Sequence, residues 1–308
     1  MLAAIEPGTS DEALLDDLPW GNFPDGAKAL ETVRLLRTGD GCARNAMNVL
    51  YGMCAEGSRA AIALAVPVLI RIAIDPHHPQ RAHALDGLAA PARARYFGVA
   101  SRTEFLLHRS GPQHEALDGY DDYGVEVTGY PAGWSVAGAR AAITARAPVL
   151  MPLLDDPDPA VRIGAAYALA TAVDPDRTVR AAFAARFEME QDPMVRAAVV
   201  LATAEITRAH PHRPDTAWIR GQWQDRAQAP EVRLAAAIGW LCLTDEPAPD
   251  ALRTTVDALA TEERARAMEV LPWMAFAGGT EPGLVRCVRS MLHPEGSEPS
   301  DDPWAQLP

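Results

Sequence analysis

Asp156-Pro157-Asp158-Pro159-Ala160-Val161-Arg162-Ile163-Gly164-Ala165-Ala166-Tyr167-Ala168-Leu169 is the stretch that decides the fold. Its first four residues mark a turn. A proline at the first helical position gives up an amide that the helix does not use, so Asp158-Pro159 starts a helix. Val161, Ala165 and Leu169 then recur at helical spacing and supply one apolar face. The small alanines let a neighbouring helix come close.

The same order of turn, Val-Arg pair and Ala-rich helix returns twice downstream. It reads Gln191-Asp192-Pro193-Met194-Val195-Arg196-Ala197-Ala198 and then Ala229-Pro230-Glu231-Val232-Arg233-Leu234-Ala235-Ala236. Arg162, Arg196 and Arg233 stand 34 and 37 residues apart, and weaker copies begin near Arg44, Arg81 and Arg264. A period of this size is that of a helix pair. One pair cannot bury its apolar face alone, so successive pairs stack and exclude water along a shared seam.

In these residues the chain resembles the HEAT-repeat family. The likeness rests on the Asp/Pro turn, the Val-Arg pair and the Ala/Leu helix, and runs over about residues 40–294, best from 145 to 243. Leu15-Asp16-Asp17-Leu18-Pro19-Trp20, with the helical stretch up to Ala65-Val66-Pro67-Val68-Leu69, also looks like a group of actinobacterial HEAT-repeat proteins. The resemblance implies an all-α, right-handed α-solenoid of helical hairpins with one irregular insertion. It also implies that Asp158, Arg162, Asp192, Arg196 and Arg233 form a structural Asp–Arg ladder between repeats.

Periodicity places helices near 27–37, 42–55, 59–74, 79–95, 134–154, 159–173, 176–189, 194–209, 215–227, 231–243, 249–260, 262–275 and 281–292. Pro67, Pro148 and Pro152 fall inside these patterns and should kink or shorten their helices. The organisation expected is an acidic N-terminal segment over 1–26, HEAT-like repeats over 27–96, an insertion over 97–133, further repeats over 134–293 and an acidic tail over 294–308.

The insertion breaks the rhythm. Arg93, Arg95, Arg102 and Arg109 cluster at its entry; Glu115, Asp118, Asp121, Asp122 and Glu126 follow. Tyr120, Tyr123 and Tyr130 sit in the acidic part, with Trp134 after it. Long irregular insertions in compact proteins tend to be functional or disordered, and aromatic residues beside charges can hold a partner. Tyr120, Asp121, Asp122, Tyr123 and Trp134 are therefore the candidate partner-binding residues. The alternative is a solvated flap whose tyrosines fold back on the solenoid.

The formal net charge is -13, and the two ends carry -10 of it through ten acids and no Lys or Arg. The body between them is near neutral. Nucleic-acid binding needs clustered cations to displace counterions, and none stand out. A protein partner with Arg or Lys on its surface suits the acidic segments. The longest apolar run, Ala60 to Ile70, is too short for a membrane span of about 20 residues. The start has no basic region followed by an apolar one, as a signal peptide would. A cytoplasmic, bacterial protein is the expectation; the abundance of Ala and Arg, with Lys28 the only lysine, points to a GC-rich genome.

No catalytic residue, cofactor or metal site is expected. There is no Walker loop, GxGxxG or GxSxG. His114-Glu115-Ala116-Leu117-Asp118 puts Asp118 where a zinc protease has its second histidine. His77-His78 and His210-Pro211-His212 stand beside prolines in turns. Asp155, Asp156 and Asp158 suit a helix N-terminus better than a calcium loop. Cys42, Cys54, Cys242 and Cys287 are scattered and read as buried thiols. Trp218, Trp223, Trp240 and Trp273 read as core. The function expected is a non-enzymatic protein–protein interaction scaffold working through the concave solenoid surface. The alternative is an enzyme or nucleic-acid processor: a DNA glycosylase or lyase-like protein built on the same repeats.

Overall fold

In a computed structural model, Asp158 accepts a hydrogen bond from the Ala160 amide at 2.9 Å, and Pro159 is the first helical residue. The turn quoted above therefore launches a helix as its chemistry dictates. The described residues are 11–23, 25–39, 45–46, 48–50, 59–93, 100–106, 134–173, 177–209 and 211–293. Among them there are helices and turns but no strand.

The helices are α1 (Asp11–Asp17), α2 (Gly26–Arg37), α3 (Arg59–Ile74), α4 (Arg81–Ala89), α5 (Trp134–Leu150), α6 (Pro159–Leu169) and α7 (Thr178–Met189). They continue as α8 (Pro193–Ala209), α9 (Arg213–Gln224), α10 (Pro230–Leu243), α11 (Asp250–Leu259), α12 (Glu262–Ala267), α13 (Pro272–Gly278) and α14 (Gly283–Leu292). Hairpins α3–α4, α5–α6, α7–α8 and α9–α10 stand side by side. Their second helices form one continuous row, α4 on α6 on α8 on α10. The architecture is an all-α solenoid.

Two glycines set the spacing of that row. A Cβ on Gly164 would lie 2.9 Å from the Leu85 Cβ, so its absence lets α6 settle on α4. A Cβ on Gly239 would lie 3.0 Å from the Ala204 Cβ, and α10 approaches α8 by the same means. Burial follows. Every residue from Ala197 to Arg208 of α8 is buried, as is every residue from Leu234 to Cys242 of α10. A helix buried on all sides is enclosed on all sides, so the second row is covered on its inner flank as well.

The chain itself provides the cover at α6 and α8. Trp273 of α13 meets the Tyr167 ring of α6 edge-on at 4.7 Å and donates to Glu205 of α8 at 2.6 Å. Residues 100–106 lie against the far end of α8, where Arg208 donates to the carbonyls of Arg102 and Thr103. An open concavity, the expectation from the repeat pattern, is at this place filled from within.

The prolines decide where helix bounds differ from the periodic pattern. The single helix over 262–275 is α12, a 3-10 turn at Met268–Val270, and α13 beginning at Pro272. Pro272 has no amide to give and disfavours a helical residue before it. Pro152 shortens its helix as expected: α5 ends at Leu150, and a 3-10 turn at Met151–Asp155 follows. Pro67 and Pro148 lie inside continuous helices. The acidic N-terminal segment holds α1, whose Leu15 is buried and whose carbonyl accepts from the buried Trp20 indole at 2.8 Å.

Candidate functional site: a laddered rim and a filled inner face

The turns between first and second helices all lie on one edge of the staircase, and the repeat arginines stitch them together. Arg81 donates to Asp156 at 2.6 Å and to the Ala73 carbonyl at 3.0 Å. Arg162 donates to Glu190 at 2.9 Å and to the Asp156 carbonyl at 2.8 Å. Arg196 donates to the carbonyls of Phe187 and Glu190, and to the Gln228 side chain at 2.9 Å, and stacks 4.0 Å above the Phe187 ring. Arg233 donates to the Trp223 carbonyl, and Arg264 to Glu231 at 3.0 Å and to the Leu259 carbonyl.

The ladder implied by the family resemblance is therefore present with a different chemistry. Among the described residues, Asp158 and Asp192 have no arginine side chain as partner. They cap helices, Asp192 accepting from the amides of Met194 at 2.8 Å and Val195 at 3.3 Å. The arginines go instead to carbonyls, to Asp156, Gln228 and Glu231, and to Glu190, a residue the sequence reading did not single out. Glu190 is 3% exposed and takes Arg162 at 2.9 Å and Arg186 at 2.7 Å. Its other oxygen accepts from the amides of Gln191 and Asp192, both at 2.9 Å. Burial works to raise this carboxyl, but the Asp192 amide and the two guanidiniums outweigh it and hold it below its ordinary value.

A second charged cluster sits on the inner flank. Arg93, just past α4, donates to the Tyr167 carbonyl at 2.8 Å and to Glu205 at 3.0 Å. Its guanidinium lies 3.5 Å over the Tyr167 ring, a stacked cation. Glu205 is fully buried and also takes the Trp273 indole. A carboxylate clamped between a guanidinium and an indole N–H is set up to hold three elements together. Asp86 on α4 lies nearby. It keeps some accessible surface yet is closely surrounded, and burial pushes its carboxyl up to about 7 against the opposing pull of Arg93.

Of the candidate partner-binding residues, Tyr120, Asp121, Asp122 and Tyr123 lie outside the described residues. Trp134 opens α5, and its side chain is outside them too. What the structure does describe is the segment 100–106, at the start of the expected insertion. Arg208 holds the carbonyls of Arg102 and Thr103, and also that of Cys242 at 2.8 Å. Arg102 donates to the Met291 carbonyl at 2.8 Å and to the Glu246 carbonyl at 2.7 Å. The strand-free segment 100–106 is thus strapped across α8, α14 and the turn after α10.

The histidines have structural neighbours. His78 bridges the Leu36 carbonyl at 3.1 Å and the Gln80 amide at 3.1 Å. His212 lies 2.9 Å from Asp215. No group of three potential metal ligands occurs among the described residues. Trp223, Trp240 and Trp273 are buried and Trp218 is partly buried against the core, as expected. No helix among the described residues is long and apolar enough to cross a membrane.

Residues 147–174 match the HEAT repeat family model. The matched stretch covers the end of α5, the 3-10 turn and all of α6, the same turn and helix from which the fold was read. No curated protein and no solved structure matches the chain. Within the solenoid, the α5–α6 hairpin thus has HEAT-repeat character, and HEAT repeats are commonly protein-interaction scaffolds.

Proposed function

We propose that this protein is a non-enzymatic scaffold that holds a protein partner, with Tyr120, Asp121, Asp122, Tyr123 and Trp134 as its contact residues. The observation that supports this reading is the strap at 100–106. Four carbonyls and two buried or half-buried arginines fix the root of the insertion to three separate parts of the solenoid. A segment pinned at one end on a packed scaffold is a usual way for a fold to present a binding loop. The inner face at α6 and α8 is occupied by Trp273, so the insertion replaces the concave surface as the place of contact. The acidic residues around the tyrosines suit a basic partner. Cys242 and Cys287, free thiols in the core, agree with a reducing cytoplasm.

The test is affinity capture from the native host with quantitative mass spectrometry, comparing the wild-type chain with Tyr120→Ala/Tyr123→Ala. The variant should keep the wild-type helical circular dichroism and lose its enriched partner. Equal enrichment by both chains sinks the assignment of these residues.

A further inference from the structure

The inner cluster sets one guanidinium between two carboxyls. Arg93 reaches Glu205 through a single nitrogen, Nη2, at 3.0 Å, and the same nitrogen donates to the Tyr167 carbonyl at 2.8 Å. Its Nη1 donates to the Ala89 carbonyl at 3.1 Å. Ala89 stands one helical turn after Asp86 on the same side of α4, and the guanidinium acts on the Asp86 carboxyl from there. No hydrogen bond to that carboxyl occurs among the described residues. Arg93 is thus spent on Glu205 and two carbonyls, with Asp86 beside it and unserved.

The elements around Asp86 bring it no other free cation. α3 is apolar from Ala61 to Ile70, with Arg71 beyond. On α6, Arg162 is held at the rim and Tyr167 is the titratable group near the cluster. Arg140 of α5 donates to the Ala92 carbonyl at 2.8 Å, and His83 of α4 is exposed. Glu205 of α8 adds a like charge. Burial therefore outweighs the pull of Arg93 and pushes Asp86 up to about 7. When it ionises, two buried carboxylates compete for a guanidinium that touches Glu205 at one point only.

The Glu205 oxygen that takes Arg93 also takes the Trp273 indole at 2.6 Å. Trp273 belongs to α13, which has seven residues. Pro272 opens it and Gly279, at φ 64°, closes it, so both ends of the segment are natural pivots.

We infer that Asp86, Arg93 and Glu205 form a proton-operated latch on α13: the helix stays over the inner face while Asp86 carries its proton, and is released when Asp86 ionises and draws Arg93 away from Glu205. Release uncovers the inner flank of α6 and α8 at Tyr167 and Glu205. The latch goes beyond the scaffold reading, which uses the insertion, and does not depend on it. Its sign follows from linkage. The latched state holds a proton that the released state gives up. With Asp86 near 7 when latched and near its ordinary 3.8 when released, opening should rise about tenfold from about pH 6 to about pH 8 and level off above.

Hydrogen exchange of the full chain, read by mass spectrometry and corrected for the intrinsic rate at each pH, tests this. The probes are the α13 amides, with those of the buried α8 as the measure of global opening. At about pH 8 the α13 amides should be at least about tenfold less protected than those of α8, and their protection should fall about tenfold from about pH 6. Asp86→Asn keeps the shape and cannot ionise, so it should hold α13 protection constant to within about twofold over the same range. Three outcomes overturn the latch: no fall in the wild type, the same fall in Asp86→Asn, or α13 protection equal to that of α8, which means that the helix opens only when the whole chain does. If Asp86→Asn alters the helical circular dichroism, Asp86→Ser replaces it under the same criteria.

Discussion

Glu190 and Glu205 are both buried glutamates that receive arginine, and they do opposite jobs. Glu190 sits on the rim, takes two guanidiniums and two backbone amides, and belongs to a ladder that recurs with the repeat. Glu205 sits on the inner flank, takes one guanidinium and one indole, and has no counterpart in the neighbouring repeats. The first joins each hairpin to the next. The second joins α8 to a residue past α4 and to α13, elements far from it along the chain. Periodic charge builds the staircase; a single unrepeated charge folds its tail back across it.

The comparison breaks most visibly at Glu205. Glu205→Ala leaves the Arg93 guanidinium buried without its carboxylate and should cost about 3–5 kcal/mol. Urea denaturation would read this, together with a loss of the near-ultraviolet signal of Trp273. A cost under about 1 kcal/mol would show that the inner cluster holds nothing. Glu190→Ala should cost less, about 2–3 kcal/mol, because Arg162 and Arg186 keep some contact with water once released. Its pH signature follows from its lowered carboxyl. The stability it contributes is complete above its ordinary value of 4.5 and is lost as pH falls through the lower folded value. An acid titration of the wild type should therefore be steeper than that of Glu190→Gln.

Asp86 sharpens the contrast with the opposite sign. With its folded value near 7 and an ordinary value of 3.8, the folded state holds a proton that the unfolded state has released. Stability thus falls as pH rises between those values and levels off above them. Asp86→Asn should remove that slope and gain about 2 kcal/mol at pH 8, the full shift being discounted for the partial exposure of the group. Melting curves across pH would show it; an unchanged slope would place Asp86 in water. The smallest effect belongs to a cap. Asp192→Ala loses two amide bonds at the start of α8 and should cost about 1 kcal/mol.

Much of this architecture is written in short-range chemistry. Asp-Pro turns, Val-Arg pairs and alanine spacing each act within a few residues, so α5 to α10 can be read from the chain to within a few positions. The shortening of α5 at Pro152 follows from the proline rule, while the break before α13 at Pro272 was hidden by reading helical periodicity alone over 262–275. The inner cluster was not legible in that way. Arg93 and Glu205 are 112 positions apart, and no local rule pairs them. The one available hint was Glu205 itself, an acid set in the apolar run of α8 where only a satisfied charge could stay. Glu190 hid for another reason: it stands one helical turn from Arg186 and beside Asp192, so it reads as an ordinary surface acid.

The indole bond from α13 to α8 changes how the molecule should come apart. Stacks of helix pairs held only by nearest neighbours fray from an end and can melt one unit at a time. Here α13 is fastened to α6 and α8, and the residue past α4 to α8, so the repeats between them cannot come apart one at a time. Heating should therefore give one sharp calorimetric peak in place of a staggered series, a chain of separate hairpins made to stand or fall together.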